Sequence, residues 1–431
     1  MQPSASELEQ STIRKLDRRI IFIPFILAVV SFIDRVNISY AALQMNSELG
    51  LSTTAFAFGA GVLFFGYCIF EVPSNLIMEK VGARRWLARI AITWGIITMA
   101  MAFVSGPWSF YALRFLLGAA EAGLFPGVYL YLTYWYPDAH RGKANALFLA
   151  CIPIAVIASA PLSAWLVSFD KTLMNLSGWQ LLFLVEGLPA ILLGFVVLAC
   201  LPDRPEKVSW LTVAEKTWLR DTLDREVRAA GNGSHSFSYA FKSPIVWGYI
   251  LAYFCYACGS YGLTLFLPQI LAQLKFSTVQ TGFVGALPYI AGLIAMLING
   301  KHSDATGERR WHFAVPMIIA GIALWLAGMT IAQPYTALAF LTIAGGGIYA
   351  SLAAFWARPM AFLIGTAAAG GIALINSLGN IGGFVGPYMI GYLKVTTGDY
   401  TAGLTMLAGL LVLGAVVWVL LRDRPAGQAG R

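Results

Sequence analysis

The sequence predicts an all-α membrane protein with about twelve transmembrane helices in two bundles of six, both termini cytoplasmic. Three observations predict it. The 431 residues are 58% hydrophobic and only 12% charged, about half the charged share of a soluble domain. Apolar runs repeatedly reach the roughly 20 residues that cross a hydrocarbon core. Lys and Arg gather on alternate sides of those runs, as positive-inside sorting of a multi-pass chain requires.

In order, the runs cover residues 20–45, 55–78, 86–104, 108–135, 144–168 and 179–201. A polar stretch, 202–243, precedes six more at 244–271, 278–299, 313–332, 335–362, 368–393 and 402–421. The chain thus divides into a cytoplasmic tail (1–19), a six-helix bundle (20–201), a cytoplasmic linker (202–243), a second bundle (244–421) and a second tail (422–431). With both ends inside, the cytoplasmic segments hold 23 of the 29 Lys and Arg. The outer loops hold only Lys171, Lys275 and Lys394; Arg35, Arg114 and Arg358 stand within runs, and Arg89 at the inner end of the third run is counted as cytoplasmic. Topology therefore accounts for the net charge of +8, and no nucleic-acid partner is needed. The linker stretch LTVAEKTWLRDTLDREV repeats apolar residues at helical spacing, which predicts a short amphipathic helix on the inner surface. GNGSHS after it reads as a linker. The first dozen residues lack the pattern of a cleavable signal, so the first run is expected to stay in the mature protein.

Other chemistry finds little support. Cys68, Cys151, Cys200, Cys255 and Cys258 all lie in apolar runs, which argues against an extracellular disulfide framework. The lone CxxC at Cys255 and Cys258 reads as packing. His140, His235, His302 and His312 are scattered, so no metal site is expected. No GxxxxGK[ST] loop is present for ATP, and no Ser–His–Asp set can be proposed at the membrane centre. The chain is expected to be no enzyme and to use no cofactor.

The two halves resemble each other. NLIMEKVGARRW (75–86) follows the second run and GKHSDATGERRW (300–311) follows the eighth. Each places an acid three residues before a Gly and then two Arg: Glu79, Gly82, Arg84 and Arg85 in one, Asp304, Gly307, Arg309 and Arg310 in the other. A loop repeated at matching places implies two related bundles. The Arg pairs can hold helix ends at the inner face.

Charges inside the runs carry the functional expectation, because ionised side chains there are costly and mark cavities or partners. Asp34 and Arg35 are adjacent in the first run. Arg114 and Glu121 are seven residues apart in the fourth, about two turns and roughly 10 Å on one face. An Arg can grip a carboxylate bidentately, and burial favours the neutral carboxylic acid. Proton and anion can therefore bind one such site cooperatively, and the coupling is reciprocal. The bland reading is a static ion-pair lattice.

FIDRVNISYAALQMN, GYCIFEVPSNLIMEKVGARRW, RFLLGAAEAGLFPGVYLYLTYWYP, GWQLLFLVEGLP, YGLTLFLPQI and FWARPMAFLIGTAAAGGIALINSLGNIGGFVGP run through nearly the whole chain. They resemble the major facilitator superfamily and, within it, the anion:cation symporter family. Asn75 departs from the Gly that usually begins the superfamily loop. The resemblance implies a secondary active transporter in a bacterial inner membrane, driven by the proton gradient. It implies uptake of an organic carboxylate of the phthalate, tartrate or sugar-acid kind, with protons and the lipid bilayer as the other partners and a monomeric state. Asp34 and Glu121 would carry protons, and Arg35 and Arg114 would hold the anion. Tyr67 and Trp356 would contact substrate. Asn376 and Asn380, one turn apart, would bond substrate or glue helices. Arg358 would either add a cation for a second carboxylate or turn to the inner surface. Glu71 is expected to pair with the Arg-rich loop, and Glu186 to be structural. The rivals are a membrane anion sensor that moves nothing, and sodium-coupled or exchange transport.

Overall fold

A computed structural model describes residues 5–169, 175–229, 242–362 and 366–421. Lys171, His235, the GNGSHS stretch and the C-terminal tail lie outside them. Among the described residues, eleven helical segments are long and apolar enough to cross a bilayer. Span one is Phe22–Glu48, span two Thr53–Val81 and span three Ala83–Ala100. Span four joins Pro107–Glu121 to Leu124–Thr133, and span five joins Asp138–Leu149 to Cys151–Val167. Span six is Gly178–Cys200, span seven Pro244–Gln273, and span eight joins Thr278–Gly285 to Leu287–Thr306. Span nine is Arg310–Met329, span ten begins as Pro334–Phe355, and span twelve is Thr401–Leu420. The run expected at 368–393 becomes span eleven, broken at Ile381 into Thr366–Asn380 and Gly382–Thr397. Each piece alone is too short to cross.

The break in span four is local chemistry that hydropathy does not record. Ala122 leaves the helix and Gly123 takes φ +87°, a conformation that favours glycine. Ser74 of span two donates to the Ala122 carbonyl at 2.7 Å, which satisfies an acceptor the helix end leaves open. A Cβ at Gly123 would lie 2.3 Å from the Ser74 hydroxyl. Glu121 therefore sits at the end of a half-helix rather than inside a continuous one.

The segment before span one is more ordered than the tail expected there. Ala5–Arg19 is a helix that buries Ile13 and Leu16. It docks on the predicted linker helix, Val213–Ala229, where Ser11 and Lys15 each reach Glu215 at 2.8 Å. Thr212 and Glu215 close the N-terminus of that helix reciprocally, as a capping box does. Burial pushes the Glu215 carboxyl up, but the bonds from Lys15, the Thr212 amide and Ser11 outweigh it and hold it below the usual carboxylate range.

Gly82 and Gly307 both take positive φ, +95° and +68°. In each half one Arg reaches carbonyls near the end of that half's sixth helix: Arg84 to Leu198 and Ala199, Arg310 to Val419. Arg309 also pairs with Asp304 at 2.6 Å. Glu79 and Arg85 lie exposed on the surface.

The two bundles meet along spans one and seven, two and eleven, and five and eight. Much of that contact lies at the end opposite the basic loops. There Phe56 meets the edge of Phe266 at 5.7 Å, and Gly282 lies against Ala164.

Candidate functional site

Span one presents charges to two neighbourhoods, because successive residues diverge by about 100° around a helix. Arg35 points toward span four and the second bundle. Its Nη2 and Nε donate to Glu121 Oε2 at 2.7 and 3.2 Å. Ser31, one turn earlier on the same face, donates to Glu121 Oε1 at 2.8 Å. Both Glu121 oxygens are thus held from span one, and Glu121 is fully buried. Arg35 Nη1 also donates to the Tyr261 hydroxyl of span seven at 3.3 Å. The rings of Tyr67, Phe125 and Phe32 stand 5.1, 5.7 and 5.8 Å from its guanidinium carbon, within cation–π range. The pair therefore sits at the junction of the two bundles, walled by aromatic rings.

Asp34 points the other way, into the first bundle. It accepts from the Trp94 indole of span three at 2.7 Å and from Asn37 at 3.4 Å. Arg35 and Asp34 do not form an ion pair with each other. Arg114 is separate too. It shares span four with Glu121 but donates to the carbonyls of Gly59 and Ala60 in span two, at 3.4 and 3.1 Å. Among the described residues no carboxylate lies within ion-pair distance of it. In this conformer the sequence-predicted quartet is one ion pair, one separate acid and one separate cation.

Glu71 departs from the expectation of a partner in the Arg-rich loop. It lies about three turns from that loop, and its oxygens turn sideways to span eleven. Asn376 donates to Oε1 at 2.6 Å and Ser377 to Oε2 at 2.7 Å. Asn380 donates to Asn376 Oδ1 at 3.2 Å, so the two Asn share a face as their spacing predicts. Cys68 donates to the Ser377 carbonyl at 2.9 Å. The Glu71 and Cys68 bonds tie one bundle to the other.

Trp356 packs edge-on against Tyr253 of span seven at 5.2 Å. Arg358 turns away from the first bundle. It donates to the Trp418 and Leu421 carbonyls at 3.3 and 3.0 Å and stands 4.6 Å over the Trp418 ring. The guanidinium caps the final turn of span twelve, whose carbonyls lack helical partners.

The sequence profile of the Major Facilitator Superfamily matches residues 24–387. The chain belongs to the Major Facilitator Superfamily. A relative from Agrobacterium vitis, provisionally named a tartrate transporter, is 48% identical over 99% of this chain and 98% of its own. A relative from Acinetobacter baumannii named a quinolone resistance transporter is 42% identical over 95% of each chain. The crystal structure titled D-xylose-proton symporter superposes with a TM-score of 0.76 at 15% identity, covering 95% of this chain and 98% of that one; it supports the fold. This member of the Major Facilitator Superfamily is a multi-pass membrane transporter and not an enzyme.

Sequence reasoning missed three site residues. Ser31 carried a signal, because it lies four residues before Arg35 and so on its face. Tyr261 stood in the family-like stretch YGLTLFLPQI without being singled out. Trp94 gave none, since nothing in an apolar third run marks which indole meets Asp34.

Proposed function

We propose that this transporter carries an organic carboxylate inward together with protons across a bacterial inner membrane, acting as a monomer. The observation that carries the reading is the buried Arg35–Glu121 pair at the bundle junction. The guanidinium already grips a carboxylate there. A substrate carboxylate arriving at Arg35 competes with Glu121 for the same donors. Glu121 displaced from its cation, in a site walled from water, is stabilised by taking a proton. The anion then neutralises Arg35 and the proton neutralises Glu121, and the bundles can rock around an uncharged centre. Release inside restores the Arg35–Glu121 pair and resets the carrier. Asp34 is the second proton carrier, and Arg114 a further anion partner once the bundles rearrange.

Two features support the substrate class. Tyr67 and Tyr261 supply aromatic faces and hydroxyls beside Arg35, which suits an aromatic or hydroxylated acid. The A. vitis relative's name points to a tartrate-like dicarboxylate. Proteoliposomes with an imposed pH gradient test the reading. Glu121→Gln is expected to abolish gradient-driven uptake of tartrate or phthalate while leaving binding or exchange in part. Driven uptake at the wild-type level in that variant would remove Glu121 from the mechanism.

A further inference from the structure

A second acid lies buried beside Asp34 on the side of span one away from Arg35. Glu186 of span six is 4% exposed, and Asp34 and Asn37 are fully buried. Asn37 and Tyr40 of span one face Glu186, and Ser163 of span five donates to its Oε1 at 2.6 Å. From the other elements, Trp94 and Thr98 of span three, Glu121 of span four and Glu186 itself face Asp34. Among the described residues no cation pairs with either carboxyl.

Counting donors decides the protonation. Asp34 Oδ2 has Trp94, Asp34 Oδ1 has the Asn37 amide nitrogen, and Glu186 Oε1 has Ser163. Two buried acceptors, Asn37 Oδ1 and Glu186 Oε2, have no donor, and the Thr98 hydroxyl that faces Asp34 has no partner of its own. Such orphans are costly, and a carboxylate and an amide oxygen offer each other nothing. One proton on Glu186 would satisfy both. Turning the amide over exchanges its oxygen and nitrogen. The nitrogen then serves Glu186, the oxygen faces Asp34, and the proton must sit on Asp34. Either orientation calls for one proton. Two ionised carboxyls so close and so dry are also unfavourable by themselves.

We propose that Asp34 and Glu186 hold one proton between them, with the orientation of the Asn37 amide setting which of the two carries it. This makes Glu186 a positioning residue for the Asp34 proton, and it rests on the reading of Asp34 as a proton carrier. The inference adds one buried protonated carboxyl to the resting protein at neutral pH.

Infrared difference spectroscopy of the full-length protein in lipid reads that group directly. The wild type at neutral pH is expected to show the carbonyl band of a buried protonated carboxyl, and Glu186→Gln is expected to remove or displace it. In proteoliposomes Glu186→Gln should shift the pH of half-maximal gradient-driven tartrate uptake by about one unit or more, a tenfold change in proton concentration. Glu186→Asp should move it back. If Glu186→Gln does not fold, Ser163→Ala keeps the carboxyl and removes only its hydroxyl donor, and is expected to displace the same band. A band that neither change moves, or an unaltered pH profile in Glu186→Gln, overturns the inference. Loss of driven uptake in Asp34→Asn beside an unaltered Glu186→Gln would overturn it alone. Driven uptake surviving both Asp34→Asn and Glu121→Gln would overturn the transport reading as well.

Discussion

At the scale of single residues, the site turns on the difference between a guanidinium and any other cation. Arg35 meets Glu121 with two nitrogens, Tyr261 with a third, and three rings with its face. Lysine has one compact ammonium and cannot meet that geometry. Arg35→Lys is therefore expected to keep the charge and lose the fork. A charge-assisted hydrogen bond is worth about 1.5–3 kcal/mol, so the KM for a carboxylate substrate should rise roughly ten- to hundredfold. An unchanged KM in concentration-dependent uptake would place the anion elsewhere. Ser31→Ala is the finer probe, since it removes a donor from Glu121 without touching the cation. The identities of these charges were readable in the sequence because an acid or base in an apolar run stands out. Their pairing was not. Arg35 and Glu121 lie in different spans, and only the packing of span one against span four decides that Arg35 meets Glu121 while Arg114 meets backbone carbonyls.

At the scale of elements, local rules predicted helices well and their breaks poorly. The apolar runs, the amphipathic linker helix and the paired inner loops all follow from period, length and charge. The turn at Gly123 does not, because it depends on what Ser74 of a neighbouring helix offers the freed backbone. Gly123→Ala is expected to destabilise the first bundle by about 1–3 kcal/mol, from a strained φ and a clash with Ser74. Thermal unfolding in detergent measures it, and a Tm equal to that of wild type would mean that the turn relaxes freely. The helix Ala5–Arg19 was missed because its apolar face is short and interrupted by charge; it gains its partners only in the fold, from the linker helix and from the inner end of span five, where His140 meets Glu9 and Lys143 meets Asp17. That docking carries a pH signature. Glu215 is held below the ordinary carboxylate range in the folded protein. A depressed carboxyl contributes stability above its ordinary pKa and loses it as pH falls through the folded value. The contact should therefore hold at neutral pH and loosen below about pH 4. Glu215→Gln should loosen it at neutral pH too, read as faster hydrogen exchange over residues 5–19. Exchange there that ignores both pH and the substitution would separate Glu215 from the docking.

At the scale of the whole molecule, two bundles must part on one side while holding on the other, so the bonds that cross between them set the cycle. Twofold architecture was legible in the repeated loops, but the crossing bonds were not, since Glu71 and Asn376 lie some three hundred positions apart in the chain. Glu71 is the carboxylate through which span two holds span eleven, by Asn376 and Ser377. Its partners are neutral donors rather than a cation, so the tie is strong while the carboxylate is charged and weaker once a proton removes that charge. Spans two and eleven run antiparallel at this contact, with Glu71 in the half of span two nearer the basic loops. Breaking the tie should thus open the inner half of the interface first. Cys68 reports on it, because its sulfur rests against the Ser377 carbonyl one turn from Glu71. Cys200 is exposed, whereas Cys151, Cys255 and Cys258 are buried, so a Cys200→Ser background isolates the signal. In that background Glu71→Ala is expected to speed maleimide labelling of Cys68 by about tenfold, the effect of losing roughly 1.4 kcal/mol from the closed state. Asn376→Ala should do so to a smaller degree, since Ser377 remains. Labelling that stays slow in both variants would show that apolar packing, with Gly383 of span eleven seated against Phe64 of span two, holds the bundles together without the carboxylate.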